Sequence, residues 1–431
     1  RQQTECDRQQ ARAHQRDDLC REQVPIAAVP ERGDHDSDRS RCMRMCARVG
    51  GMAGLKSGTL HGCPSGQAEV PYLHHAQPSV SPAARGEAGS LSMDIMSYAK
   101  PYLTVPEQLD LLRVRGCDIG DQASAEELLT RVGYYRLSGY WYPFRQSSQV
   151  NGETVVLDNF ISGTTLSAIS ELYEFDRRLR LLVLDAIERV EVAMRFQVGH
   201  TLGSRGAFAH TDPGALSNEF AGQFGPPPSM EVWRKSDHAT WLFYREKETN
   251  RSKADFVKHF KAKYGLPLPV WVVTELLDFG GFTILYSGML QRDRDAIAKS
   301  YGIIDSAGAG LGGALQDWMK NLNFIRNVCA HHSRFWNVNV TSRMSPNKLS
   351  PIPDLAHLVD PGFPKMLSRP YASLAVLAYL TRRIDPTNTW FSRLRDFMDS
   401  DFPDSREESE MGFPDDWRDL ALWGPAATPT P

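Results

Sequence analysis

The run LSAISELYEFDRRLRLLVLDAIERVEVAMRFQV, residues 166–198, decides the fold class. Leu166, Ile169, Leu172, Tyr173, Leu179, Leu182, Val183, Ile187, Val190 and Met194 recur at three- and four-residue steps, the period of one helical face. Thr164 or Thr165 supplies the N-cap, and Gly199 and Gly203 mark the end. At 1.5 Å per residue the element is roughly 45–50 Å long, which makes it the spine of an all-α domain. Its other face carries Asp176, Arg177, Arg180, Glu188, Glu191 and Arg195. Most of these are expected in solvent or in surface ion pairs worth a few tenths of a kcal/mol each.

Upstream of the spine, Thr104-Val105-Pro106-Glu107 opens a short helix that Gly116 stops. Ser124-Ala125-Glu126-Glu127 is a capping-box pattern leading into a helix that Gly133 ends. The aromatic stretch 134–144 then reads as a packed corner, with base stacking as the alternative. Asn151-Gly152 signals a turn beside a short strand at Thr154-Val155-Val156. Downstream, residues 203–230 are rich in Gly and Pro and read as a loop. Helical pieces follow around 233–245 and 254–264. They hold the densest basic stretch outside the N-terminal tail, and Arg245, Lys247, Lys258 and Lys261 are its candidates for RNA contact. Trp241, Phe243, Tyr244 and Phe256 alternate with these charges, as in a patch that tracks a phosphate backbone. A solvated helix face has the same composition. Residues 270–289 form a buried helix pair or a kinked helix, broken at Gly280-Gly281. After a Pro-rich segment, 371–384 reads as an amphipathic helix and 390–397 as a shorter one.

A net charge of -3 over 431 residues rules out global basicity as a route to nucleic acid, so any such site is a local patch. No apolar run reaches the roughly 18 residues of a membrane span, and no secretory signal pattern is seen. A cytoplasmic protein with no membrane partner is expected. Five of the seven cysteines, Cys6, Cys20, Cys42, Cys46 and Cys63, precede residue 64, near His35 and His61. Cys42 and Cys46 suit one helical face, but no second close pair of ligands accompanies them, so neither a metal nor a cofactor is expected. Residues 1–95 lack apolar periodicity. They read as a disordered extension, or as upstream sequence ahead of a start at Met93 or Met96, with a basic RNA-binding arm as the other reading. The helical domain is expected over 96–423 and a disordered tail over 424–431.

The densest functional chemistry lies in NFIRNVCAHHSRFWN, residues 323–337. On an ideal helix Leu315, Trp318, Leu322, Ile325 and Cys329 form one apolar stripe, while Phe324, Asn327 and His331 fall on another face. Arg326 and His331 are about 140° apart on that wheel, so meeting at one phosphate needs the reach of the arginine or unwinding at the helix end. The residue types suit RNA cleavage without a metal. An imidazole near pKa ~6.5 moves protons at the 2′-hydroxyl or the leaving oxygen, and a guanidinium fork stabilises the pentavalent phosphate. Asn327 can hold the imidazole tautomer or a phosphate oxygen. The plainer reading is that His331 and His332 end a helix and interact with its dipole.

The segment Arg326-Asn327-Val328-Cys329-Ala330-His331 resembles the Arg, polar residue, His signature of the HEPN ribonuclease superfamily. Further stretches resemble, in order, bacterial abortive-infection proteins of the AbiD/AbiF type. They are Tyr134–Tyr140, Tyr173–Arg180 with Ile187–Glu191, Pro269-Val270-Trp271 with Glu275 and Phe279-Gly280, and Ala330–Asn337. The resemblance covers about residues 98–423. It implies a HEPN-like helical bundle with additional helices and long loops, and phage defence by RNA degradation that halts growth. It assigns catalysis to Arg326 and His331, with Asn327, His332, Glu188 and Glu191 in support. It also implies a homodimer that builds a composite site, an RNA substrate, and a small noncoding RNA that restrains the protein. A non-catalytic HEPN module that binds RNA or a protein in a defence or toxin-antitoxin system is the alternative.

Overall fold

The Thr104 N–H donates to Glu107 Oε2 at 2.7 Å, and this bond starts the first helix, α1 (Val105–Val114). The computed structural model describes residues 101–150, 152–222, 236–362 and 365–424. The expectations for residues 1–95, their five cysteines and the last seven residues fall outside that range. Helix α2 (Gln122–Val132) begins before the expected capping box. Asp121 takes the N-cap, and its carboxylate accepts the Ser124 N–H at 2.9 Å. A charged acceptor gains from the helix dipole where a serine does not. Gly133, at φ +88°, turns the chain from α2 into α3 (Tyr134–Trp141). Tyr140, Trp141 and Phe144 are buried, and Trp141 meets Tyr134 and Phe160 edge-on, so the aromatic stretch is a packed corner. A hairpin of β1 (Arg145–Val150) and antiparallel β2 (Glu153–Phe160) follows; these are the only strands in the described residues. The architecture is all-α apart from this hairpin.

Helix α4 (Leu166–Gly203) is the spine: 38 residues, about 57 Å. Thr165 caps it, accepting the Ala168 N–H at 3.1 Å. It runs past Val198 because Gly199 does not end it, and Gly203 is its last residue. They form a notch where another helix, α8 (Val270–Leu276), crosses. A Cβ on Gly199 would lie 2.8 Å from Thr274 Oγ1 and 3.3 Å from Trp271 Cα. At Gly203 a Cβ would lie 3.1 Å from the Trp271 ring. Two 3₁₀ turns and α5 (Asn218–Ala221) occupy part of the expected loop, and the buried Phe220 ring lies over Gly288. Helices α6 (Asp237–Arg251) and α7 (Asp255–Tyr264) carry the basic stretch.

The apolar segment is a helix pair, α8 and α9 (Phe279–Gly288), but its break lies at Leu277-Asp278. Asp278 caps α9 through the Gly281 N–H at 2.7 Å. The glycines sit in the first turn, where the Trp241 indole N–H donates to Gly281 O at 2.9 Å. Helix α10 (Gln291–Ser300) was not evident from its polar sequence. Its Asp295 accepts the Gly312 N–H at 2.9 Å, at the start of α11 (Gly312–Ala330). Helix α12 (Pro370–Ile384) is buried along its length from Pro370 to Thr381 rather than amphipathic. A helix apolar all round belongs in an interior. Helix α13 (Trp390–Asp401) and the acid-rich end close over it. Phe413 and Trp423 pack on Tyr371, and Glu408 pairs with Arg418 at 2.6 Å.

His210, in the turn before α5, is buried beside His238. Burial pulls its imidazole down to about 4, with the His238 charge adding to the effect. The unfolded chain therefore binds a proton between about pH 6.5 and 4 that the folded chain declines. Stability from this group is full above pH 6.5, and roughly 3 kcal/mol of it is lost as pH falls to 4. Urea melts across that range should show a shallower acid slope for His210→Gln than for the wild type.

Candidate functional site

Leu315, Trp318, Leu322, Ile325 and Cys329 are all buried, so the expected stripe of α11 fixes this helix against α4, α9, α10 and α12. The helix ends at Ala330, with His331 as its C-cap. The His332 N–H donates to Cys329 O at 3.1 Å and the Ser333 N–H to Val328 O at 2.9 Å. This pair of bonds places His332 at the left-handed position usually held by glycine, with φ +57°. A β-carbon there costs about 1–2 kcal/mol, so the surrounding contacts must hold the backbone.

Those contacts come from α3 and α4. Arg136 Nη1 donates to His332 O at 2.7 Å, Arg180 Nη1 to Ser333 O at 3.4 Å, and Arg334 to Gly139 O. Asp176 lies at the centre with no exposed surface. Its carboxylate accepts the Phe335 N–H at 3.2 Å, the Trp336 N–H at 2.7 Å and the Tyr140 hydroxyl at 2.7 Å, and it pairs with Arg180. Burial pushes the Asp176 carboxyl up, while the Arg180 charge and these donors pull the other way. The same environment drives the Tyr140 hydroxyl strongly up, so it stays a neutral donor. Asp176 and Arg180 are therefore interior groups, contrary to the expectation of a solvated face. Away from water, their partners are each other, the Tyr140 hydroxyl and the backbone of residues 333, 335 and 336.

His331, His332 and Asn327 are exposed, and Arg326 is half-buried. Arg326 lines an open groove along α4 with Leu181, Leu184, Asp185, Ile187, Glu188 and Glu191. It donates to Asn327 Oδ1 at 3.4 Å. Among the described residues no hydrogen bond joins it to His331, in keeping with their separation on the helical wheel. Glu188 is exposed in the groove; Glu191 is half-buried and paired with Arg195, which also donates to Leu277 O at 2.5 Å. Burial raises the Glu191 carboxyl, while the Arg195 and Arg326 charges oppose that shift. The site thus brings Arg326, Glu188 and Glu191 to one groove, with Asn327 bonded to Arg326 and the two imidazoles at the end of α11.

The basic candidates sit elsewhere, on α6 and α7. Arg245 pairs with Glu248 and lies over the Trp241 ring at 5.9 Å. Lys258 pairs with Asp255 at 3.0 Å, and Lys261 donates to Thr249 O at 2.5 Å. Lys247 is exposed. Phe243, Tyr244 and Phe256 on the same helices are exposed, whereas Trp241 is buried.

Sequence reasoning missed Asp176, Arg180, Tyr140 and Arg136 as parts of the site's support. A signal was present: Asp176 falls four residues after Leu172 and three before Leu179, on the buried stripe itself. No cluster of metal-ligating side chains occurs among the described residues, and no helix there is long and apolar enough to cross a membrane. Comparison with curated proteins and with solved structures gives no match. Residues 127–337 match the family model of Abi-like proteins, a span that opens in α2 and closes at Asn337, just past the imidazoles and the Asp176 contacts. By that match the chain belongs to the Abi-like protein family, an abortive-infection family.

Proposed function

We propose that the chain acts in phage defence as a metal-independent HEPN endoribonuclease. The observation that carries this reading is an exposed imidazole, His331, at the anchored end of a helix whose Arg326 lines an open groove. In the reaction the RNA 2′-oxygen bonds to phosphorus and the bond from phosphorus to the 5′-oxygen breaks. His331 moves protons between these oxygens, and Arg326 stabilises the charge on the pentavalent phosphate. Asn327 orients the ring or a phosphate oxygen, while Glu188, Glu191 and His332 shape the groove and its rim. Lys247 and its basic neighbours on α6 and α7 supply phosphate contacts away from the scissile bond. A small noncoding RNA that restrains the enzyme fits the same surfaces. The test is purified protein with RNA in EDTA, scored for 2′,3′-cyclic phosphate and 5′-hydroxyl ends. Salt-dependent binding with no cut under any condition would replace this reading with the non-catalytic HEPN module.

Each described chain supplies one Arg326–His331 pair, and the composite site of this reading takes two. Leu181, Val192 and Phe196, 57%, 56% and 63% exposed, form an apolar strip on the α4 face beside Arg326. A second copy docked on this strip would bring the two motifs together. Phe196→Glu should therefore shift the protein from dimer to monomer in light scattering and depress cleavage in parallel. A wild-type monomer with full activity would remove the dimer from the proposal.

A further inference from the structure

We infer that Asp176 is a positioning residue for the two imidazoles, acting through the backbone of residues 332–336. The inference rests on the nuclease reading for its consequence, but its geometry stands apart from it. Asp176 is on α4 and His331 is at the end of α11, so nothing local in sequence links them. What links them is a hairpin-like return of the main chain. After the left-handed His332, the segment folds back so that the Phe335 and Trp336 N–H groups both aim at one carboxylate, at 3.2 and 2.7 Å. The Phe335 and Trp336 side chains are wholly buried, so this stretch is pinned by its side chains as well as its amides.

Arg180 and Tyr140 complete the arrangement. Both bond to Asp176 Oδ2, and the tyrosine hydroxyl also receives Arg180 Nη1 at 3.0 Å. Arg180 then reaches Ser333 O, and Arg136 reaches His332 O from the exposed side. The carbonyl of residue 333 and the amides of 335 and 336 are thus held by one connected set of groups, and Arg136 separately holds the carbonyl of 332. A free helix terminus frays, and its C-cap ring samples many orientations. Here the residue after His331 is kept in a conformation that its side chain disfavours, so the direction of both rings follows from the contacts and not from local preference. A buried, fully partnered polar network specifies one geometry because each broken bond leaves a buried group unsatisfied. Asp176 touches neither substrate nor ring, and its effect on the reaction is through placement alone.

The experiment combines amide hydrogen exchange over residues 320–340 with RNA cleavage, for the wild type, Asp176→Asn and Arg136→Met. In Asp176→Asn, exchange at Phe335 and Trp336 should accelerate at least about tenfold relative to Leu322 and Ile325 of the preceding α11. Its kcat per folded molecule should fall on the order of 100-fold with KM little changed, the scale of a misplacement of about 1 Å. Arg136→Met should lower kcat in the same direction without lowering Tm, since that side chain is exposed. It carries the kinetic test if Asp176→Asn does not fold. Unchanged kcat in the folded variants, or a rise in KM alone, overturns the positioning role. If the wild type cuts no RNA, the nuclease reading fails separately. The exchange arm then decides: selective loss of protection at 335 and 336 sustains the placement, and unaltered protection overturns it.

Discussion

His331→Ala should abolish RNA cleavage while leaving the fold unchanged. General acid-base catalysis contributes typically 10²–10⁴-fold, so the loss should reach about that range in kcat. The ring is exposed at the C-cap, and the bonds that end α11 use the backbone of residues 327–333, which alanine retains. Tm should therefore move by no more than a degree or two, the scale of a surface substitution. Arg326→Ala should cost on the order of 10²–10³-fold through lost stabilisation of the phosphate. That variant also leaves Glu191 with one cation fewer nearby. In cells, wild-type expression should arrest growth, and the double alanine variant should not. Equal growth arrest by both proteins would sink the assignment of these residues, whatever the purified protein does.

Asp176→Ala should be the most destabilising single change in the site, at about 3–5 kcal/mol. The value is large because the variant strands four partners at once. The Arg180 guanidinium keeps its charge in a place where its side chain is only 5% exposed. The Phe335 and Trp336 amides lose their acceptor, and the Tyr140 hydroxyl keeps only Arg180. An orphaned buried donor costs about 1–3 kcal/mol, and such terms overlap rather than add. Against a total stability of about 5–15 kcal/mol, the variant should unfold at moderate urea. Denaturation followed by circular dichroism gives the number. A double variant, Asp176→Leu with Arg180→Met, should recover much of the loss, since it removes the stranded charge as well. A loss below about 1 kcal/mol for Asp176→Ala would show that water replaces the carboxylate and that the site is wetter than its burial indicates.

The spine helix and the α11 stripe were legible because both are long and apolar at one period, and burial followed that period except at the half-buried Tyr173 and Leu182. Boundaries were less legible where a residue has two uses. Gly199 looks like a terminator but lies inside the helix, and with Gly203, the last helical residue, it forms a notch for Trp271 and Thr274. Asp121 outcompetes Ser124 for the α2 cap, and aspartate and serine are about equally favoured residue types there. The amphipathic reading of α12 failed because burial there comes from α13 and the acid-rich end, whose packing no local pattern encodes. In the site, residue types pointed to Arg326, Asn327 and His331, and the fold sets them at one end of one helix. What could not be read was the direction of Arg326 toward the α4 groove, or the tie from Asp176 to residue 336, since both depend on contacts over 130 residues or more.

The all-round burial of α12 bears on how this protein can be inherited and exchanged. The family signature ends at residue 337, yet α12 begins at Pro370 and packs on both α4 and α11, the two helices that carry the signature's chemistry. The span matched by the family is therefore shorter than the unit that packs together. Recombination that moved the signature without the segment from 370 to 423 would deliver the motif on helices stripped of a neighbour. Any sequence that replaces that segment must keep something of its volume and apolar character in the same place.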